Sequence, residues 1–273
     1  MDRIRTTFDR LRRRGRKALI PFIMGGDPDL EATGRLIEAL AGAGADLIEI
    51  GVPFSDPLAD GPTIQRASSR ALAHGTTPAS LLELVQRVSR TVEAPIVLLS
   101  YWNPIVQYRN GAARNHVDPQ PFLRRAQEAG VCGVVVPDLP PEEGEPLRAA
   151  AQRCGVATIF LAAPTSPPER LRQIARASNG FIYYVSLTGT TGARTQLSAD
   201  WRHGVRQIKL ITTKPVCVGF GISTPAQAAA VARVADGAII GSALLNALEP
   251  HLRSRSGTAR RAAAFLRPFR RVL

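Results

Sequence analysis

Lysine is nearly missing from this sequence: Lys17, Lys209 and Lys214 are the only three in 273 residues. A Schiff-base aldolase needs a lysine amine in its pocket, and each of these lysines precedes an apolar run of strand length rather than following one. Histidine is almost as sparse. None of His74, His116, His203 and His251 lies three to five residues from another, so HExxH and His/Cys zinc patterns are absent and no metal is expected. The three cysteines, Cys132, Cys154 and Cys217, form no CxxC pair and read as buried free thiols in a reducing compartment. No apolar run approaches the ~20 residues that span a bilayer, and no apolar segment of signal-peptide type follows the basic start. A soluble, unexported, cytoplasmic protein without membrane contact is the expectation. GxGxxG and GxxxxGK[ST] are also missing, which weighs against a doubly wound nucleotide-binding sheet.

What is present is an excess of positive charge, +13 in all, carried by the two ends. Residues 1–17 hold eight Arg/Lys and two Asp, and residues 251–273 hold seven Arg and no acid, so residues 18–250 are neutral with 20 charges of each sign. The body of the protein is therefore no polyanion-binding surface, and nucleic acid is not expected as a partner. The ends read either as segments that attract RNA, an acidic partner or a membrane surface, or as amphipathic helices with solvated arginine faces. Leu11, Ala18 and Leu19 are the apolar residues available to one, and Ala264, Phe265, Leu266, Phe269 and Leu273 to the other.

Between the ends, apolar runs alternate with helical stretches. The runs are 18–24, 46–51, 95–101, 133–136, 157–161, 180–185, 216–220 and 237–240, and candidate helices cover 30–43, 78–92, 120–129, 142–153, 168–177 and 225–234. Eight βα units with nearly uniform apolar strands predict a (β/α)8 TIM barrel with an extra N-terminal helix. No linker or composition break divides residues 1–273, so one domain is expected. In a barrel the chemistry belongs at the C-terminal ends of the strands and in the loops that follow them.

Three constellations stand there. Glu49 interrupts the apolar second strand, where a carboxyl group is either satisfied by a buried partner or raised in pKa toward acid/base work near neutral pH. The loop 51–62 is stiffened by Pro53, Pro57 and Pro62 and adds Asp56 and Asp60. Asp60 is either a functional carboxylate or a helix N-cap or turn residue. Glycine turns after the last two strands, 219–223 and 241–243, suit backbone binding of a phosphate, although glycine also serves ordinary turns. The polar, glycine-punctuated stretch 186–194 reads as a lid or as a plain connection.

The segment Leu47–Gln65 resembles the active-site signature of the tryptophan synthase α subunit family nearly residue for residue. The landmarks agree in order: Pro21-Phe22, Gly26-Asp27-Pro28, Tyr101-Trp102-Asn103-Pro104, Pro137-Asp138-Leu139-Pro140, then 183–192, 219–223 and Gly241-Ser242. The resemblance covers essentially the whole chain. It implies a carbon-carbon lyase that reversibly cleaves indole-3-glycerol phosphate to indole and glyceraldehyde 3-phosphate in tryptophan biosynthesis. Glu49 matches the general acid/base, Asp60 the group that stabilises charge on the indole ring, and Tyr183 an active-site tyrosine. Phe22, Leu99, Tyr101 and Phe220 match the indole pocket, Thr191 the lid residue that contacts Asp60, and Gly192, Gly221, Gly241 and Ser242 the phosphate cradle. The implied partner is a pyridoxal-phosphate-dependent β subunit in an αββα heterotetramer, with Asp138 near the communicating face and no cofactor in this chain. Leu187 and Thr190 depart from the family's usual lid, and the basic ends exceed its usual charge. Two other functions compete: a stand-alone indole-3-glycerol-phosphate lyase, and a non-catalytic barrel binding a polyanion or partner protein.

Overall fold

Seven consecutive apolar residues form the first strand, β1 (Ala18–Met24), buried along its whole length. In the computed structural model of the protein, residues 2–108, 117–185, 201–219 and 221–273 are described. The strands that follow are β2 (Ile48–Gly51), β3 (Ile96–Leu99), β4 (Val131–Val135), β5 (Ala157–Ile159), β6 (Leu161–Ala162), β7 (Ile182–Val185), β8 (Val216–Gly219) and β9 (Gly237–Ile240). They pair in parallel in the order β5-β4-β3-β2-β1-β9-β8-β7-β6. The two edges of that sheet, β5 and β6, are separated only by Phe160. They are halves of one strand, and the sheet closes on itself as a (β/α)8 barrel whose fifth strand bends at Phe160. At the bend the Phe160 amide donates to Ser178 Oγ at 3.1 Å and its carbonyl accepts the Tyr183 amide at 3.1 Å.

The helices are α1 (Arg3–Arg13), α2 (Leu30–Gly42), α3 (Pro62–Ala73), α4 (Pro78–Val88), α5 (Trp102–Val106), α6 (Gln120–Glu128), α7 (Glu145–Cys154), α8 (Pro168–Ala177), α9 (Trp201–Ile211), α10 (Pro225–Ala232), α11 (Ser242–Leu248) and α12 (Arg255–Arg270). Six of them, α3, α4, α6, α7, α8 and α10, have proline at the first or second helical position, where its fixed φ suits a helix and its missing N–H costs nothing. Strand alternation then sorts the core into two layers. Leu19 and Ile23 of β1 face the helices, while Ala18, Ile20, Phe22 and Met24 face inward with Val97, Val135, Ile159, Tyr183 and Ile239. The N-terminal helix closes the bottom of that interior: Ile4, Phe8 and Leu11 are buried, and the Phe8 ring lies 5.9 Å from that of Phe181. No helix among the described residues is long and apolar enough to cross a membrane.

Several expectations need correction. Ala18 and Leu19 belong to β1 and not to the terminal helix. On α12 the buried face is Thr258, Ala262, Leu266 and Phe269, at helical spacing, which leaves Ala264 exposed on the opposite side. The thiols are free, but Cys217 alone is buried. Cys132 near the start of β4 and Cys154 at the end of α7 are partly exposed, because they sit at the open lower rim. Helix α7 begins at Glu145 rather than at Glu142, after the turn that follows Pro140-Pro141.

Candidate active site

Glu49 lies in the register layer of Phe22 on β1 and Val97 on β3, both of which face the barrel interior. It is 1% exposed, and neither carboxylate oxygen has a hydrogen-bond partner among the described residues. A carboxylate without donors in an apolar interior is expensive, so the group holds its proton. Burial, with the negative charge of Asp60 second, pushes its pKa up to about 8. Among the described residues, the fold supplies no buried neutralising partner for Glu49.

Asp60 stands at the end of the proline-stiffened loop and is also buried. Its amide closes a turn onto the Pro57 carbonyl at 3.0 Å, and its own carbonyl accepts from Gln65 Nε2 at 2.8 Å. The N-cap of α3 is Gly61, without a side-chain capping bond, so Asp60 is free of the capping role. Burial raises the Asp60 pKa to about 6, opposed by a hydrogen bond from the Tyr101 hydroxyl. That hydroxyl also accepts the Ala59 amide at 2.9 Å, while the Tyr101 ring packs 5.5 Å from Phe54. Tyr101 thus locks the backbone and the carboxylate of the Asp60 loop together, a function its place among apolar wall residues did not announce.

Tyr183 is buried in the same interior, and burial, followed by the charge of Glu49, holds its phenol well above its ordinary pKa and therefore neutral. Its ring occupies the space that any side chain at position 219 would fill: a Cβ there would come within 2.5 Å of it. Gly219 is required on that ground. Gly51 plays a similar part for Phe22, whose ring tip would lie 2.9 Å from an added Cβ. Phe22, Leu99 and Tyr101 are all buried around the layer of Glu49.

At the other side of the mouth, Gly221 takes a left-handed φ of +78°, and Gly241 is the N-cap of α11, whose first residue is Ser242. Gly241 has no side chain to cap that helix start, so among the described residues the first backbone amides stay available. Phe22 bridges to this turn, since a Cβ on Gly241 would meet it at 3.5 Å. Thr191, Gly192 and Phe220, with the whole stretch 186–194, lie outside the described residues.

Sequence reading missed Gln65 as the anchor of Asp60 and the side chains of α3 that reach α11. Gln65 had a weak signal, being the last residue of the matched segment. Arg70 had none, because its partners Asp27 and Glu249 are 43 and 179 residues away.

Comparison with known proteins agrees along the whole chain. The tryptophan synthase alpha chain of Geobacter sulfurreducens is 49% identical over 273 residues, covering 100% of this chain and 99% of its own. That of Geotalea daltonii is 52% identical over 249 residues, 91% of each chain. Among solved structures, tryptophan synthase subunit alpha from Legionella pneumophila superposes with a TM-score of 0.89 at 38% identity, covering 100% of this chain and 98% of that one. A Mycobacterium tuberculosis tryptophan synthase chain gives 0.88 at 37%, covering 99% and 98%. With the family's own sequence model matching residues 8–273, this barrel and its paired carboxylates belong to the tryptophan synthase alpha chain family.

Proposed function

We propose that the chain is a lyase working as one barrel domain, which reversibly cleaves indole-3-glycerol phosphate to indole and glyceraldehyde 3-phosphate. The observation that carries this reading is the pair Glu49 and Asp60, two buried carboxyl groups whose pKa values, about 8 and about 6, differ enough to give them opposite charge states at neutral pH. Glu49, protonated, donates to C3 of the indole. The ring then carries an iminium charge, which ionised Asp60 stabilises at the ring N–H. The Glu49 carboxylate takes the proton of the side-chain hydroxyl beside the ring as the carbon-carbon bond breaks. The hydroxyl carbon becomes the aldehyde, the bond's electrons neutralise the ring, and Glu49 is left protonated for the next turnover. Tyr183 keeps the Glu49 side of the pocket dry and oriented; Phe22, Leu99, Tyr101 and Phe220 hold the ring; Gly192, Gly221, Gly241 and Ser242 hold the phosphate through backbone amides, with Thr191 closing over Asp60.

The same reading gives the chain a pyridoxal-phosphate-dependent β subunit as partner, in a cytoplasmic αββα assembly, with no cofactor of its own. Indole release from indole-3-glycerol phosphate, measured on the chain alone and with a β subunit, tests both parts. Stimulation by the β subunit is expected. Full activity alone with no complex on mixing points instead to a stand-alone lyase, and no activity in either condition refutes the lyase reading.

A further inference from the structure

Helix α3 is fastened to α11 and to Glu249, the residue that follows it, by three successive rungs. Thr63 Oγ1 donates to Asn246 Oδ1 at 3.0 Å; Arg66 Nε and Nη2 donate to the two oxygens of Glu249, both at 3.2 Å; and Arg70 Nη1 reaches Glu249 Oε1 at 3.2 Å. From the first rung to the second, residue numbers rise by three on both sides, so the two segments run parallel, side by side, from the same rim of the barrel. Arg70 also closes a bidentate pair with Asp27, Nε to Oδ1 and Nη2 to Oδ2, each at 2.8 Å. Asp27 is 4% exposed in the turn that follows β1. The proposed chemistry uses none of these groups.

The ends of the two helices are the ends of the site. Asp60 sits two residues before α3 and is tied to it by Gln65, while Gly241-Ser242 opens α11. A helix transmits an axial shift along its length, about 1.5 Å for each residue of register. We propose that Arg70 is a positioning residue that sets the distance between Asp60 and the Gly241-Ser242 turn, so that the site spans one particular length of phosphorylated substrate. An ordinary surface ion pair explains the Arg66–Glu249 rung, which is half-exposed and worth little by itself. It does not explain Arg70, whose flat guanidinium joins α3 to the turn after β1 and to the residue that ends α11, through one buried carboxylate and one shared one. Only a planar fork holds both in a single geometry.

The proposal rests on the lyase reading, and running the reaction in the direction of synthesis separates the two. Indole is supplied with glyceraldehyde 3-phosphate, which bridges both ends of the site, or with unphosphorylated glyceraldehyde, which engages the carboxylate end alone. Arg70→Lys keeps the charge and loses the fork. It is expected to lower kcat/KM for the phosphorylated aldehyde by about 10²-fold and for glyceraldehyde by no more than about threefold. Thr63→Val removes one rung with Asp27 and Arg70 still paired, and should give a smaller loss with the same selectivity; it carries the test if Arg70→Lys does not fold. Equal losses with both aldehydes reduce Arg70 to general support of the fold and overturn the proposal, as do unchanged rates with both. A wild-type chain inactive with both aldehydes overturns the lyase reading itself, and the proposal with it.

Discussion

At the N-terminal end of the barrel, Asp236 receives the Val216 amide at 3.0 Å and the ammonium groups of Lys209 at 2.9 Å and Lys17 at 3.8 Å. Asp46 there accepts the Leu19 amide at 2.9 Å and pairs with Arg270, while Lys214 Nζ is bound by the Ala175 carbonyl at 2.7 Å. At the C-terminal end, only a strand's length away, Glu49 is more deeply buried than any of these and has no hydrogen-bond partner among the described residues. One rim spends its charges on holding the strands together, and the other leaves a carboxyl group unsatisfied. Stability and chemistry are thereby separated along the barrel axis, as the architecture allows. All three lysines stand at the stabilising rim, so the chemical rim has carboxyl groups and backbone amides to work with and no amine.

Glu49→Gln breaks the contrast most severely. Cleavage should fall by about 10³-fold or more while substrate binding is nearly kept, as steady-state and equilibrium binding measurements would read. The same variant should be more stable than the wild type, with a sign that depends on pH. Folded Glu49 keeps its proton to about pH 8, whereas an ordinary glutamate loses it near 4.5. Between those values the folded state binds more protons than the unfolded, and wild-type stability declines as pH rises. Chemical denaturation should therefore show Glu49→Gln gaining on the order of 2–4 kcal/mol at pH 8 and close to nothing at pH 4. A variant no more stable than wild type at pH 8 would mean that Glu49 is satisfied in solution.

Asp60→Ala comes next, with turnover reduced by about 10²-fold; an unchanged rate would return Asp60 to a loop-forming role. The pH profile of kcat/KM sharpens the division of labour between the two groups. It should be bell-shaped, rising as Asp60 ionises near pH 6 and falling as Glu49 loses its proton near pH 8. A profile flat across pH 5 to 9 would contradict the assignment of opposite charge states. The smallest effect belongs to the other rim. Asp236→Ala should lower stability by about 1–2 kcal/mol and leave turnover alone, and loss of activity in a fully folded preparation would show that the two ends are coupled.

The barrel was legible in the sequence because parallel strands covered on both sides must be apolar throughout, and eight such runs stand out from a chain punctuated by proline and glycine. Ala18–Met24 and Gly237–Ile240 coincide with the observed strands to the residue. Phe160 was not legible as a break, since it is as apolar as its neighbours, and the bend there depends on Ser178 and Tyr183 reaching it from other segments. Glu49 was visible as the one charge in the interior of an apolar run, and Asp60 as an acid in a stiff loop after it.

What the sequence determined by itself is therefore the list of parts: hydrophobic periodicity and turn chemistry are local, and so is the cost of placing a carboxyl group among apolar residues. The tertiary structure decided whether those parts are satisfied. Glu49 stays protonated because no donor from any described segment reaches it, Asp60 ionises more readily because the Tyr101 hydroxyl crosses from the next loop, and Tyr183 fits because residue 219 has no side chain. The Asp27–Arg70–Glu249 contact belongs wholly to this second kind. Pairing energies depend on distance and desolvation in space, and separation along the chain carries no record of either.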